Sequence, residues 1–283
     1  MRRLGILHRT YYNFHGTVLL GPHRLLLRPR EGHAVRLEFS RLEIVPTASI
    51  RWVRDAYDNS VAIATFVQTT RALQIVSELI VQHYDETPLD FVVADFAVNY
   101  PFVYDTDTID VLQPYLIAPA PPDQTALRAW VEGFWKPGEP IQSYGLLERL
   151  CTGIHRTLSY QLREQPGVQT AADTLARGVG SCRDFSTLFM EAARLLGLAA
   201  RFVSGYLNAP SADGRGGASH AWAEVYLPGA GWKGFDPTIG ELVGSKHIAL
   251  AVARSPDTVS PVSGSYFGPG GADLDVGVWV TSL

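Results

Sequence analysis

The chain has 283 residues, 46% hydrophobic and 18% charged, which is the composition of a folded protein with a sizeable core and excludes a disordered chain. A formal net charge of -4 offers no overall attraction to phosphate backbones or anionic lipid, so neither nucleic acid nor a membrane is an expected partner. Its two cysteines, Cys151 and Cys182, are too few for a disulfide scaffold or a zinc module, so a reducing, cytoplasmic setting is expected, without metal or other cofactor.

The opening Met1-Arg2-Arg3 is followed by His8, Arg9, Asn13 and His15 in place of an apolar stretch, so no signal peptide is expected. No apolar run reaches the roughly 20 residues that span a bilayer. From Leu4 to Tyr84 short apolar and β-branched runs alternate with polar residues, as in Val35, Leu37 and Phe39, and turn residues separate them. Residues 1–84 therefore read as an antiparallel β domain. Tyr57-Asp58-Asn59-Ser60 is its clearest hairpin turn, and Ala72 to Tyr84 its last strand.

Residues 85–123 hold six prolines, which break long helices and central strands, and read as a connecting segment. The remaining 124–283 form the second domain. Here Leu146, Leu147, Leu150, Cys151, Ile154 and Leu158 recur at helical spacing, which predicts a helix over Tyr144 to Leu158 with Ser143 as N-cap. A second helix begins near Cys182, with Phe185, Leu188, Phe189, Ala192, Leu195 and Leu196 on one face and Gly197 as its stop. Five short strands follow, over Arg201 to Leu207, His220 to Leu227, Trp232 to Phe235, His247 to Ala253 and Leu274 to Thr281. A loop is expected over Asn208 to Gly217.

The chemistry gathers in this half. Gly178-Val179-Gly180-Ser181-Cys182 sets a thiol at the start of a helix, where free backbone N–H groups and the helix dipole favour a thiolate and can also donate to an oxyanion. Tyr160 is a weaker candidate for a further donor, and Arg183 for a nearby charge. His220 opens a strand and suits a proton shuttle, and Asp236 returns on the next strand. A simple loop after Leu227 would pair Leu227 with Trp232 and set Asp236 opposite Ala223. A bulge near Gly229 to Gly231, or a diagonal contact, is then needed for Asp236 to accept the ring N–H of His220.

Gly-Ser-Cys-Arg-Asp-Phe entering a helix, then Ala199 to Leu207, His220-Ala221-Trp222 and Asp236-Pro237-Thr238, resemble the transglutaminase-like superfamily of papain-related thiol enzymes. Gly21-Pro22-His23-Arg24-Leu25 and Trp52 to Asn59 are similar to the β-rich domain that precedes the core in its bacterial members. The resemblance implies an α+β fold, with a papain-like transglutaminase core, its nucleophile helix packed on an antiparallel sheet, after an antiparallel β domain. It also implies a catalytic Cys182, a general base His220 and an orienting Asp236, working through a thioester on a protein or peptide substrate. Water as acceptor makes a protease or amidase, an amine makes a glutamine acyltransferase, and a silent site leaves a protein-binding module. Cys151, on an apolar helix face, reads as packing, as do Trp222 and Trp232, and Asp184 as a helix-start residue.

Overall fold

The computed structural model describes residues 1–117, 121–163, 165, 167–209 and 219–283. Alternating sequence in the first third makes five strands, β1 (Arg2–Leu25), β2 (Val35–Val45), β3 (Ser49–Arg54), β4 (Ser60–Thr65) and β5 (Thr69–His83), in the order β2-β5-β1-β4-β3. The hairpin from β3 to β4 turns where expected, with Asp58 at φ 60°, a conformation Asp tolerates better than most side chains. The segment after β5 is not wholly irregular. It contains strand β6 (Asn99–Tyr100), helix α1 (Thr106–Leu112), capped by Asp105, and the start of α2 (Pro121–Val131).

Strand β7 (Ile141–Gln142) pairs with β6 and leads into α3 (Ser143–Thr157). Gln142, not Ser143, occupies the N-cap; Ser143 is the first helical residue, and its hydroxyl donates to Ala97 O at 2.6 Å. Strand β8 (Ser159–Tyr160) precedes α4 (Ala171–Arg177), which ends on Gly178 at φ 65°, and β9 (Val179–Gly180) then runs parallel to β8. Helix α5 (Cys182–Leu195) follows at once. Its apolar face lies on a five-stranded antiparallel sheet of β10 (Ala200–Leu207), β11 (His220–Leu227), β12 (Gly231–Asp236), β13 (Glu241–Leu242) and β14 (His247–Ala253), ordered β13-β12-β11-β10-β14. Most of the expected loop after β10 lies outside the described residues.

The final strands, β15 (Val262–Phe267) and β16 (Ala272–Ser282), fall within residues 124–283, yet their hydrogen bonds run to β1. Both ends of the chain thus build one sheet. The largest core joins α2, α3 and α5 to the five-stranded sheet through Leu127, Leu150, Ile154, Phe185, Phe189 and Val225. A second apolar cluster, with Leu4, Ile6, Leu79 and Val81 on one side and Tyr206, Ile248 and Leu250 on the other, seals the amino-terminal sheet against β10 and β14. Asn59, fully buried, extends this junction by bonding both the N–H and the C=O of Val252, as a neighbouring strand would. Among the described residues no helix is long and apolar enough to cross a membrane.

Candidate active site

Three elements converge at the amino end of α5. Ser181 caps the helix in a capping box: Asp184 Oδ2 accepts the Ser181 N–H at 2.8 Å. Asp184 is fully buried and also accepts the Gln169 N–H at 2.7 Å, while Arg163 Nε lies 2.9 Å from its Oδ2 as an ion pair without hydrogen-bond alignment. The Ser181 amide is therefore spent inside the cap. The Cys182 amide stands at the first helical position, where an N–H has no acceptor within its own helix and can donate to an oxyanion. The Cys182 side chain is largely buried, with 8% exposure, and both cysteines are free thiols.

His220 faces this thiol from the first position of β11. Its Nε2 donates to Asp236 Oδ2 at 2.6 Å, which leaves Nδ1 as the ring nitrogen for the thiol, close enough for Cys182 to act on the charge of the ring. Burial disfavours the charged ring, but the hydrogen bonds and charges of Asp236 and Cys182 outweigh it and push the imidazole up to about 10. Asp236 is fully buried. Burial works against its charge too, yet hydrogen bonds from His220 and His247 hold its carboxyl well below the usual carboxylate range.

The hairpin reaches this geometry through a register one residue away from the simple expectation. Leu227 pairs with Gly231, Tyr226 with Trp232 and Ala223 with Phe235, with no bulge, because Gly231 joins the strand and shortens the loop. The same ladder carried one step further sets Asp236 across from Trp222, on the face His220 shares, and a diagonal contact closes the pair.

Tyr160 stands beside the thiol because the parallel pairing of β8 with β9 places it against Gly180, two residues before Cys182. Burial and then the charge of Cys182 push its phenol up to about 12, although half of the side chain is exposed. Arg183, a candidate for a charge near the thiol, also has a structural task. Its guanidinium donates to Arg163 O and Gln165 O at 3.0 and 3.1 Å, clamping the segment that follows Tyr160. Trp222 is buried behind the site, edge-on to His247 with ring centroids 5.2 Å apart. Trp232 packs far along the hairpin against Arg201 and Tyr115. Cys151 sits in the core, its thiol pushed up by burial and by the charges of Asp236 and Glu148.

Sequence reasoning missed His247. It is buried, and its Nε2 donates to the same Asp236 oxygen at 3.0 Å. The ligand-type atoms of His220, Asp236 and His247 all lie within 4.8 Å of one another, a spacing that invites a metal reading. The nitrogen–oxygen separations of 2.6 and 3.0 Å are instead those of hydrogen bonds.

Residues 128–237 match the model of the transglutaminase-like superfamily core, and residues 4–82 that of the bacterial transglutaminase-like N-terminal region. An uncharacterized protein of Mycobacterium leprae is 28% identical over 290 residues, covering 100% of both chains. One from Mycobacterium tuberculosis is 28% identical over 289 residues, covering 93% of this chain and 87% of its own. A crystal structure of a candidate cysteine protease from Cytophaga hutchinsonii superposes with a TM-score of 0.73 at 18% identity, over 100% of this chain and 91% of that one, a likeness of fold. With the core model lying over α5 and the Cys182, His220 and Asp236 cluster, and the N-terminal model over the first sheet, this chain belongs to the transglutaminase-like superfamily.

Proposed function

We propose that the chain is a cysteine-nucleophile amide hydrolase acting on a protein or peptide. The observation that carries this reading is a single one: His220 faces Cys182, which starts a helix, and is hydrogen-bonded through Nε2 to the buried carboxylate of Asp236. An imidazole so placed can take the proton of the thiol, and the thiolate that results is the nucleophile. The thiolate adds to the substrate carbonyl, and the oxyanion is met by the Cys182 amide and the Tyr160 hydroxyl. As the C–N bond breaks, His220 returns the proton through Nδ1 to the leaving amine, and a thioester remains on Sγ. Water then gives up a proton to His220 and attacks the thioester, releasing a carboxylic acid and restoring the thiol. Asp236 keeps Nε2–H in place throughout, so that all proton traffic runs through Nδ1.

The test is the rate of iodoacetamide labelling at Cys182 at neutral pH, located by mass spectrometry, in the native chain and in His220→Ala. Labelling faster than a free thiol, slowed at least tenfold by the substitution, is the expected result. Ordinary labelling in both proteins overturns the reading in favour of a protein-binding module. In the active case, incorporation of an amine into a glutamine peptide would assign acyl transfer in place of hydrolysis.

A further inference from the structure

Asp236 is held by more than the histidine it orients. Its Oδ1 accepts the Thr238 N–H at 2.9 Å, and its Oδ2 accepts from both His220 and His247. The tautomer of His247 follows from its other nitrogen. The Gly244 N–H points at Nδ1 at 3.3 Å, so Nδ1 is an acceptor and the ring proton sits on Nε2, facing the carboxylate. His247 Nε2 therefore offers Asp236 a proton and not a lone pair, which a metal ligand would need.

The main chain of His247 is fixed from outside the core. His83, at the end of β5, donates from Nε2 to His247 O at 3.0 Å, and the Asp85 N–H donates to its Nδ1 at 3.3 Å, so its tautomer is determined in the same way. Trp222 closes the other side of the His247 ring. Gly205 leaves room for that indole, since a Cβ there would lie 2.5 Å from Trp222 Cη2. A buried donor whose ring and backbone are both immobilised has few ways to act except through the carboxylate it contacts.

The geometry points to His247 as a positioning residue that holds Asp236, and through it His220, for reaction at Cys182. This rests on the thiol reading of the site, but its test does not need a substrate. His247→Ala and His247→Gln are made in the full chain, Gln being able to donate a single hydrogen bond to Asp236. Three quantities are read: iodoacetamide labelling of Cys182 with buried Cys151 as internal reference, the proton resonance of His220 Nε2–H in histidine-labelled protein, and the melting temperature.

The Ala variant is expected to label about ten- to a hundredfold more slowly, the range typical of lost second-tier hydrogen bonds, and to shift the His220 resonance. The Gln variant should recover most of both. An Ala variant that melts, labels and resonates like the native chain overturns the proposal. So do Ala and Gln variants that lose labelling equally and in step with their melting temperatures, because that outcome makes His247 merely structural. If the native thiol labels as a free cysteine, the enzyme reading falls, and the resonance alone decides: moved by Ala and returned by Gln supports the positioning of Asp236, unmoved refutes it.

Discussion

Tyr160 is the residue whose side chain most directly tests how the site stabilises charge. A phenol at about 12 stays protonated over the whole range in which a thiol enzyme works, so it remains a donor whatever the state of its neighbours. Tyr160→Phe is expected to lower kcat about a hundredfold with KM little changed, the cost of removing one oxyanion donor, and the ratio to wild type should stay flat from about pH 6 to 9. A loss confined to KM would assign the ring to substrate contact. Cys182, His220 and Asp236 were legible in the sequence because each carries a chemistry that its local context advertises: a thiol before a helix, an imidazole opening a strand, a carboxylate ending the next one. His247 carried no such mark. It opens an apolar strand, and β14 holds an extra residue, Leu250, where the ladder jumps from Ser204 with Ala251 to Gly205 with Ala249. A bulge of that kind reverses which side chains share a face, so alternation read along β14 could not aim His247 at Asp236.

At the level of elements, the start of α5 is the joint on which the thiol depends. Asp184 serves as the N3 residue of a capping box and as the acceptor for the Gln169 amide, tying the helix to the segment that follows Tyr160; Arg183 clamps that same segment from the neighbouring position. Its role was legible as helix-start chemistry, whereas the long-range bond to Gln169 was not, because nothing local in the sequence announces where a loop returns. Asp184→Ala strips the buried amides of Ser181 and Gln169 of their acceptor and leaves Arg163 without its partner. The expected cost is roughly 3 to 5 kcal/mol, read as a lower urea midpoint at unchanged slope. The same variant should label Cys182 more slowly even where it remains folded, since the first turn frays with its cap. The hairpin of β11 and β12 shows the limit of pattern reading in another form: the residues that pair were recognisable, but one glycine, Gly231, entering the strand moved the register by one.

On the scale of the whole molecule, the amino-terminal sheet is sewn into the core at several buried points; the sequence pattern marked the first 84 residues as β and β16 as a strand, but it missed β15 and did not say that the last two strands would return to β1. One of those points makes the junction sensitive to acid. His8 on β1 is buried between Tyr206 Oη, 2.8 Å from Nδ1, and Thr10 Oγ1, 2.9 Å from Nε2, and burial lowers its pKa to about 4. The ordinary histidine value is 6.5, so between 6.5 and 4 the unfolded chain binds a proton that the folded chain refuses. Stability is then complete above about 6.5 and falls as the pH drops, by about 3 kcal/mol once the folded-state pKa is reached. His220 acts with the opposite sign. Its raised pKa contributes stability that is full below its ordinary value and is lost as the pH rises through about 10. Urea unfolding followed from pH 4.5 to 10 should therefore trace a dome whose two limbs belong to different parts of the chain. His8→Gln should flatten the acid limb alone, because an uncharged amide has no proton to take up. His220→Gln should flatten the alkaline limb alone. An acid limb that survives in His8→Gln would place the sensitivity elsewhere, with His83 beneath His247 the next group to replace, since burial lowers its pKa as well.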